Sequence, residues 1–310
     1  MHQLGYFTHQ DCRLHDMGFD HPECPQRLSA IEDQLLMSGL TDWLERRDAP
    51  LLPLGLAKLA HSESYLEQLQ RADAQAQTQG LVRLDEDTAM NAHSWTAALR
   101  AAGAAVAAVD AVMEGEVANA FCAIRPPGHH ATRERAMGFC LLNNVAIAAL
   151  HALEQGAKRV AVVDFDVHHG NGTEDILAEH PAVLMLGFYQ HPYYPPGGAQ
   201  FEGRAHLCNV PVPAYTSGET VRSLVAEHWW PRLEAHDPDL ILISAGFDAH
   251  REDDMAQLGL VEADYVWMTE HIKAHTRAGQ ASKIVSCLEG GYHLSALGRS
   301  AAAHIKALTI

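Results

Sequence analysis

No Cys-x-x-Cys pair occurs in this chain, and its six cysteines (Cys12, Cys24, Cys122, Cys140, Cys208 and Cys287) are scattered. That spacing excludes a structural thiolate zinc site and a dense disulfide framework. The start, Met-His-Gln-Leu-Gly-Tyr, has neither a basic stretch nor an apolar one behind it, so no secretion signal is expected. No uninterrupted apolar run reaches the ~18 residues that a membrane helix needs. Positive charge is scarce as well: 22 Lys and Arg stand against 39 Asp and Glu, a formal charge of −17. Such a balance argues against nucleic acid and anionic membranes as partners. It suits cationic substrates loosely, and solubility alone explains it as simply. Linkers, repeats and charge blocks are missing too, so residues 1–310 are expected to form one domain, soluble and cytoplasmic.

What is present is a large apolar fraction, 47% of residues, enough for a sizeable core. In the second half, strand and helix patterns alternate. Apolar runs at 121–124, 159–163, 182–188, 240–245 and 284–288 read as buried strands, and 206–212 as an extended segment. Helical patterns fall at 144–154, 173–179, 217–234, 262–278 and 294–308, with an Ala-rich helix at 94–113. Residues 71–90 read as a polar connection. Alternation of this kind predicts an α/β fold, with a mostly parallel sheet and helices on both faces.

Ligands of such sheets bind beyond the carboxyl ends of the strands, and polar residues collect at those ends. Asp164-Phe165-Asp166-Val167-His168-His169-Gly170-Asn171-Gly172 follows the strand at 159–163. In an extended segment Asp164, Asp166 and His168 point the same way, which gives part of a divalent-metal site. Asp248 follows another strand through Gly246 and supplies a third ligand. Two carboxylates and a neutral imidazole balance a zinc ion's charge and leave a coordination position open. His129-His130, stiffened behind Pro126-Pro127-Gly128, can act as general base and acid, since imidazole changes charge near neutral pH. Asp164 or Asn171 can accept an imidazole N–H and set its tautomer. Tyr292, behind Gly290-Gly291, can donate to a developing oxyanion.

Together these segments resemble the histone deacetylase superfamily, in its class II and bacterial amidohydrolase branch. The resemblance rests on Arg125-Pro-Pro-Gly-His-His130, Gly138-Phe139-Cys140, the run from Asp164 to Gly172, Ala245-Gly-Phe-Asp248 and Leu288-Glu-Gly-Gly-Tyr292. His21-Pro-Glu-Cys-Pro-Gln-Arg-Leu28 also fits, so nearly the whole chain is covered. It implies the arginase/deacetylase fold, a three-layer α/β/α arrangement. It also implies one Zn2+ held by Asp166, His168 and Asp248, with His130 as general base and acid. His129 with Asp164 would be the electrostatic neighbour of His130, and Tyr292 the residue that orients the carbonyl. Phe139 and Tyr194 would wall a narrow tunnel, the Gly138 carbonyl would accept the substrate amide N–H, and Arg27 would line a product exit. Met255 and His250 would shape the mouth.

Backbone carbonyls around Asp164–His168 would hold a structural K+, although Gly187 stands where a serine ligand is common. Asn171 stands where class I enzymes have Asp, as in class II members. The resemblance therefore implies hydrolysis of N-acylated lysine side chains in proteins or peptides. A small acetylated amine, as in an acetylpolyamine amidohydrolase, is the nearest alternative. A non-catalytic acyl-lysine-binding module and a binuclear manganese ureohydrolase are further ones. A homo-oligomer is left open.

Overall fold

The computed structural model describes residues 4–197, 203–275 and 283–309. The first third runs through β1 (Leu4–Thr8), α1 (Gln26–Met37), β2 (Leu44–Asp48), α2 (Leu54–Ala57), α3 (Glu63–Gln79), β3 (Leu81–Arg83), β4 (Ala89–Asn91) and α4 (Ser94–Glu114). Then follow β5 (Asn119–Cys122), α5 (Asn144–Glu154), β6 (Val160–Asp164), α6 (Asn171–Leu177), β7 (Val183–Gln190) and β8 (Leu207–Val212). The chain continues with α7 (Gly218–His228), α8 (Trp230–His236), β9 (Leu240–Ala245), α9 (Glu262–Ala274), β10 (Ile284–Leu288) and α10 (Leu294–Thr309).

Eight strands form one sheet in the order β2-β1-β5-β10-β9-β6-β7-β8, and every pairing in it is parallel. The central strands are the most apolar: β6 (Val-Ala-Val-Val-Asp), β9 (Leu-Ile-Leu-Ile-Ser-Ala) and β10 (Ile-Val-Ser-Cys-Leu) are buried along their whole length. Such runs belong in a sheet covered on both faces. The edges differ in kind. Strand β2 reads Leu-Glu-Arg-Arg-Asp, and β8 carries Pro211, so charge on one edge and a missing N–H on the other discourage further strand pairing. Helices α4 and α5 pack on one face, while α1, α9 and α10 form the layer on the other. This is the three-layer α/β/α arrangement expected from the sequence.

Some local expectations are corrected. Residues 71–90 are no mere connection: most of α3 lies there, with Ser62 accepting the Tyr65 N–H as its N-cap and Leu69, Ala72 and Ala76 buried. A buried stripe made partly of alanine barely stands out against a Gln-rich helix surface. The antiparallel hairpin β3–β4 follows it. The helix expected over 217–234 is two helices, because Pro231 opens the first turn of α8 and cannot donate into a continuing ladder. The helix expected over 262–278 is described to Ala274, and its last residues lie outside the described ones. Helix α4 is long and apolar enough by length and composition to cross a membrane, yet 67% of its apolar stretch is buried against the rest of the fold.

Candidate active site

Strands β5, β6, β9 and β10 are neighbours, and the segments leaving their carboxyl ends meet at one rim of the sheet. From β6 come Asp164, Asp166 and His168, with the strand itself ending at Asp164. Beyond it, two carboxylates hold the turning backbone: Asp164 Oδ1 accepts the Asp166 N–H at 3.0 Å, and Asp166 Oδ1 accepts the His168 N–H at 2.9 Å. From β9 comes Asp248, whose Oδ1 accepts the Val167 N–H at 2.9 Å. His168 Nδ1 lies 3.0 Å from Asp166 Oδ1 and 3.3 Å from Asp248 Oδ2. Asp166, His168 and Asp248 are all buried, and one ligand atom from each falls within 4.8 Å of the others.

Glycine is required here for room rather than for turning. A Cβ at Gly246 would come 2.1 Å from Asp166 Oδ2, and one at Gly290 would come 2.0 Å from Asp248 Oδ2. Gly291 differs, taking φ +116°, where a side chain would be strained.

This trio fits a divalent cation on its own chemistry. Asp248 Oδ2 is buried with no aligned hydrogen-bond donor among the described residues, an expensive position for a carboxylate oxygen. Burial alone would depress the His168 imidazole. Its hydrogen bond to Asp166, with the Asp248 carboxylate 3.3 Å away, instead raises it well above the usual histidine value, so the pair of carboxylates draws a positive charge to this point. A cation held by all three groups would take the place of that proton.

The loop after β5 brings the two adjacent histidines, buried beside the trio. Glu289 Oε2 anchors this loop by accepting the N–H groups of Gly128 and His129 at 2.6 and 3.1 Å. His129 Nδ1 lies 3.0 Å from Asp164 Oδ2. Burial pulls the His129 pKa down, but the Asp166 and Asp164 carboxylates outweigh it and raise it to about 10. His130 goes the other way: burial, then the charges of His129 and His168, hold it well below the ordinary value. The two rings are 4.0 Å apart, so charge on His129 keeps His130 neutral. His130 Nδ1 lies 2.7 Å from Asn171 Oδ1, while Asn171 Nδ2 donates to Met137 Sδ at 3.4 Å. The amide oxygen therefore faces the ring, His130 donates from Nδ1, and its Nε2 lone pair is left free.

A cavity of about 160 Å³ opens over these groups, with His130 and His168 at its wall together with Tyr292, Phe139, Tyr194 and Met255. Tyr194 packs edge-on against His130, with centroids 5.2 Å apart. Phe139 packs edge-on against Tyr292 at 5.8 Å. Gly138 and Phe139 both have positive φ, +55° and +69°, an uncommon conformation for a bulky residue. Thr88 Oγ1 holds it there by accepting the Phe139 N–H at 3.0 Å. At Gly138 a Cβ would come 2.3 Å from the His130 ring, so only glycine fits. Burial, with the Asp248 carboxylate nearby, raises the Tyr292 pKa well above that of a free phenol, so it remains an O–H donor.

Arg27 does not line the cavity. It is fully buried behind Tyr292, with its guanidinium carbon 5.0 Å from the ring centroid. It donates to the Gly291 carbonyl at 2.6 Å, to the Glu289 carbonyl, and to Glu23 Oε1 at 3.0 Å. Gly187 pairs with Asp164 in the sheet, and a Cβ there would meet Asn209 Oδ1 at 2.6 Å. Thus Asn209 fills the space a serine at that position would enter.

Sequence reasoning gave no role to Tyr193, Asp87, Glu289 or Asp253. Tyr193 stacks on His168 at 5.8 Å, and both Tyr193 and Asp87 line the cavity. The available signals were a second tyrosine beside Tyr194, an acidic trio at 85–87, and a carboxylate directly before Gly290.

The histone deacetylase domain family matches this chain over residues 21–308. An uncharacterised protein of Synechocystis is 38% identical over 95% of both chains. A probable deacetylase of Archaeoglobus fulgidus is 35% identical, covering 93% of this chain and 81% of its own. A histone deacetylase-like amidohydrolase of Pseudomonas aeruginosa is also 35% identical, covering 88% and 72%. Among solved structures, the HDA15 HD domain superposes with a TM-score of 0.92 at 33% identity, covering 99% of this chain and 88% of its own. With these matches over nearly its whole length, the chain belongs to the histone deacetylase family.

Proposed function

We propose that this protein hydrolyses the amide of N-acylated primary amines, with the ε-acyl-lysine side chain of a peptide or protein as its substrate class. Membership of the family makes the chain an amide hydrolase, and the choice of substrate is our reading. The observation that carries it is the single cavity in which His130, Tyr292 and the ligand His168 share a wall with Phe139, Tyr194 and Met255. Aromatic rings on such a wall suit an unbranched alkyl stem threaded toward the buried trio.

Asp166, His168 and Asp248 would hold one zinc ion, which this donor set suits. When bound, zinc polarises a substrate carbonyl and lowers the pKa of a water molecule toward ~7. The protein's own groups do the rest. The free Nε2 of His130 takes a proton from the attacking water and returns it to the leaving amine. Asn171 keeps that nitrogen in the accepting tautomer, and His129, charged against Asp164, keeps it unprotonated at rest. The Tyr292 phenol donates to the oxygen that becomes negative, and the Gly138 carbonyl accepts the substrate amide N–H.

The same reading takes residues 1–310 as one catalytic domain, supported by a sheet that draws its strands from Leu4 to Leu288. A cytoplasmic setting is supported by six free cysteines. Asp87 at the cavity wall favours a second reading, in which a cationic acetylated polyamine is the substrate. Turnover of an acetyl-lysine peptide compared with acetylputrescine decides between them: preference for the peptide is expected, and a strong preference for the diamine overturns the lysine reading.

A further inference from the structure

The peptide segment that carries Tyr292 is gripped from two sides by buried charges, neither of which lines the cavity. On one side Arg27 donates to the carbonyls of Glu289 and Gly291. On the other, Asp253, only 4% exposed, points its carboxylate at backbone amides. Its Oδ2 accepts the Tyr292 N–H at 2.6 Å and the His293 N–H at 2.9 Å, and its Oδ1 accepts the Met255 N–H at 3.0 Å. A cation at the carbonyls and an anion at the amides fix the plane of this peptide as neutral partners would not. Asp253 also lies on the segment that begins at Asp248. The phenol is thus registered against the loop that supplies one of the buried trio, and Met255, another cavity residue, is tied to the same carboxylate.

We propose that Asp253 is a positioning residue that holds the Tyr292 phenol in line with the reacting carbonyl through its hydrogen bonds to the Tyr292, His293 and Met255 amides. This rests on Tyr292 acting as the oxyanion donor. An O–H donor is effective only where the developing charge will sit, and a displacement of ~1 Å costs on the order of 100-fold in rate. Asp253 neither belongs to the buried trio nor lines the cavity, so its loss is expected to be felt chiefly through the phenol.

The test is D253N, which keeps the shape of the side chain but sets an amide against N–H donors, studied in the zinc-loaded protein with an acetyl-lysine peptide. We expect kcat to fall ~10- to 100-fold with KM within ~3-fold. Zinc stoichiometry should match wild type, and amide hydrogen exchange at Tyr292 and His293 should be faster. In a Y292F background the same change should cost under ~2-fold, because the residue it acts through is gone. D253S serves where D253N does not fold. Wild-type kcat in a folded variant, unchanged exchange, or an equal loss in the Y292F background each overturns the proposal, as does failure of both variants to fold. Near-normal activity of Y292F alone would instead remove the oxyanion role of Tyr292 on which the proposal stands.

Discussion

His130 and Asn171 face each other at 2.7 Å, Nδ1 to Oδ1, and that contact decides which imidazole nitrogen is available for chemistry. The Asn171 hydrogen bond favours the imidazolium, but more weakly than burial and the neighbouring charged histidines disfavour it. Burial and the charged His129 can therefore hold His130 well below the usual histidine pKa.

Replacing Asn171 by Asp should raise the His130 pKa, since the carboxylate favours the imidazolium more than the amide does. A general base works when neutral, so activity rises with pH through its pKa. The acid limb of the kcat/KM profile should then move to higher pH in the variant. A limb that stays in place would show that His130 does not set it.

Tyr292→Phe removes one O–H while keeping the ring against Phe139. Turnover should fall by ~100-fold or more with zinc content unchanged, as expected for an oxyanion donor. Near-normal turnover would mean that the oxyanion is held by another group.

Away from the site, His304 is fully buried between Thr269 Oγ1 at 2.6 Å and Ser286 Oγ at 2.8 Å. Burial lowers its pKa to about 3. A folded-state value below the unfolded one gives stability that is complete above the unfolded pKa of about 6.5 and is lost as pH falls toward 3. At pH 5 the loss should be about 2 kcal/mol relative to pH 7. Urea unfolding of wild type and His304→Gln at both values checks this: the variant should lose about that much less between them, and equal losses would assign the acid sensitivity elsewhere.

The parallel sheet and the convergence of Asp166, His168 and Asp248 were legible because both depend on short-range pattern. An apolar β-branched run ending in Asp-x-Asp-x-His carries its own geometry, and Asp248 follows a second such run. Glu289 and Asp253 were not legible, because their work is to accept backbone N–H groups from segments distant in sequence, as the Glu289 contacts with Gly128 and His129 show. No residue-type signal marks the receiving amides. Helix α3 escaped for a related reason, its buried face relying on Ala72 and Ala76. Asp87, at the mouth, sits in the stretch that read as polar connection, where an acidic side chain looks like ordinary solvated surface.

All of this depends on one cation shared by three side chains and reachable from the aromatic cavity. Anomalous diffraction at the zinc edge from crystals of the zinc-loaded protein tests that most directly. The account predicts one peak about 2.0–2.2 Å from a carboxylate oxygen of Asp166, Nδ1 of His168 and a carboxylate oxygen of Asp248, open toward Tyr292 and His130. A peak elsewhere, or an ion closed off by a fourth protein ligand, would contradict it.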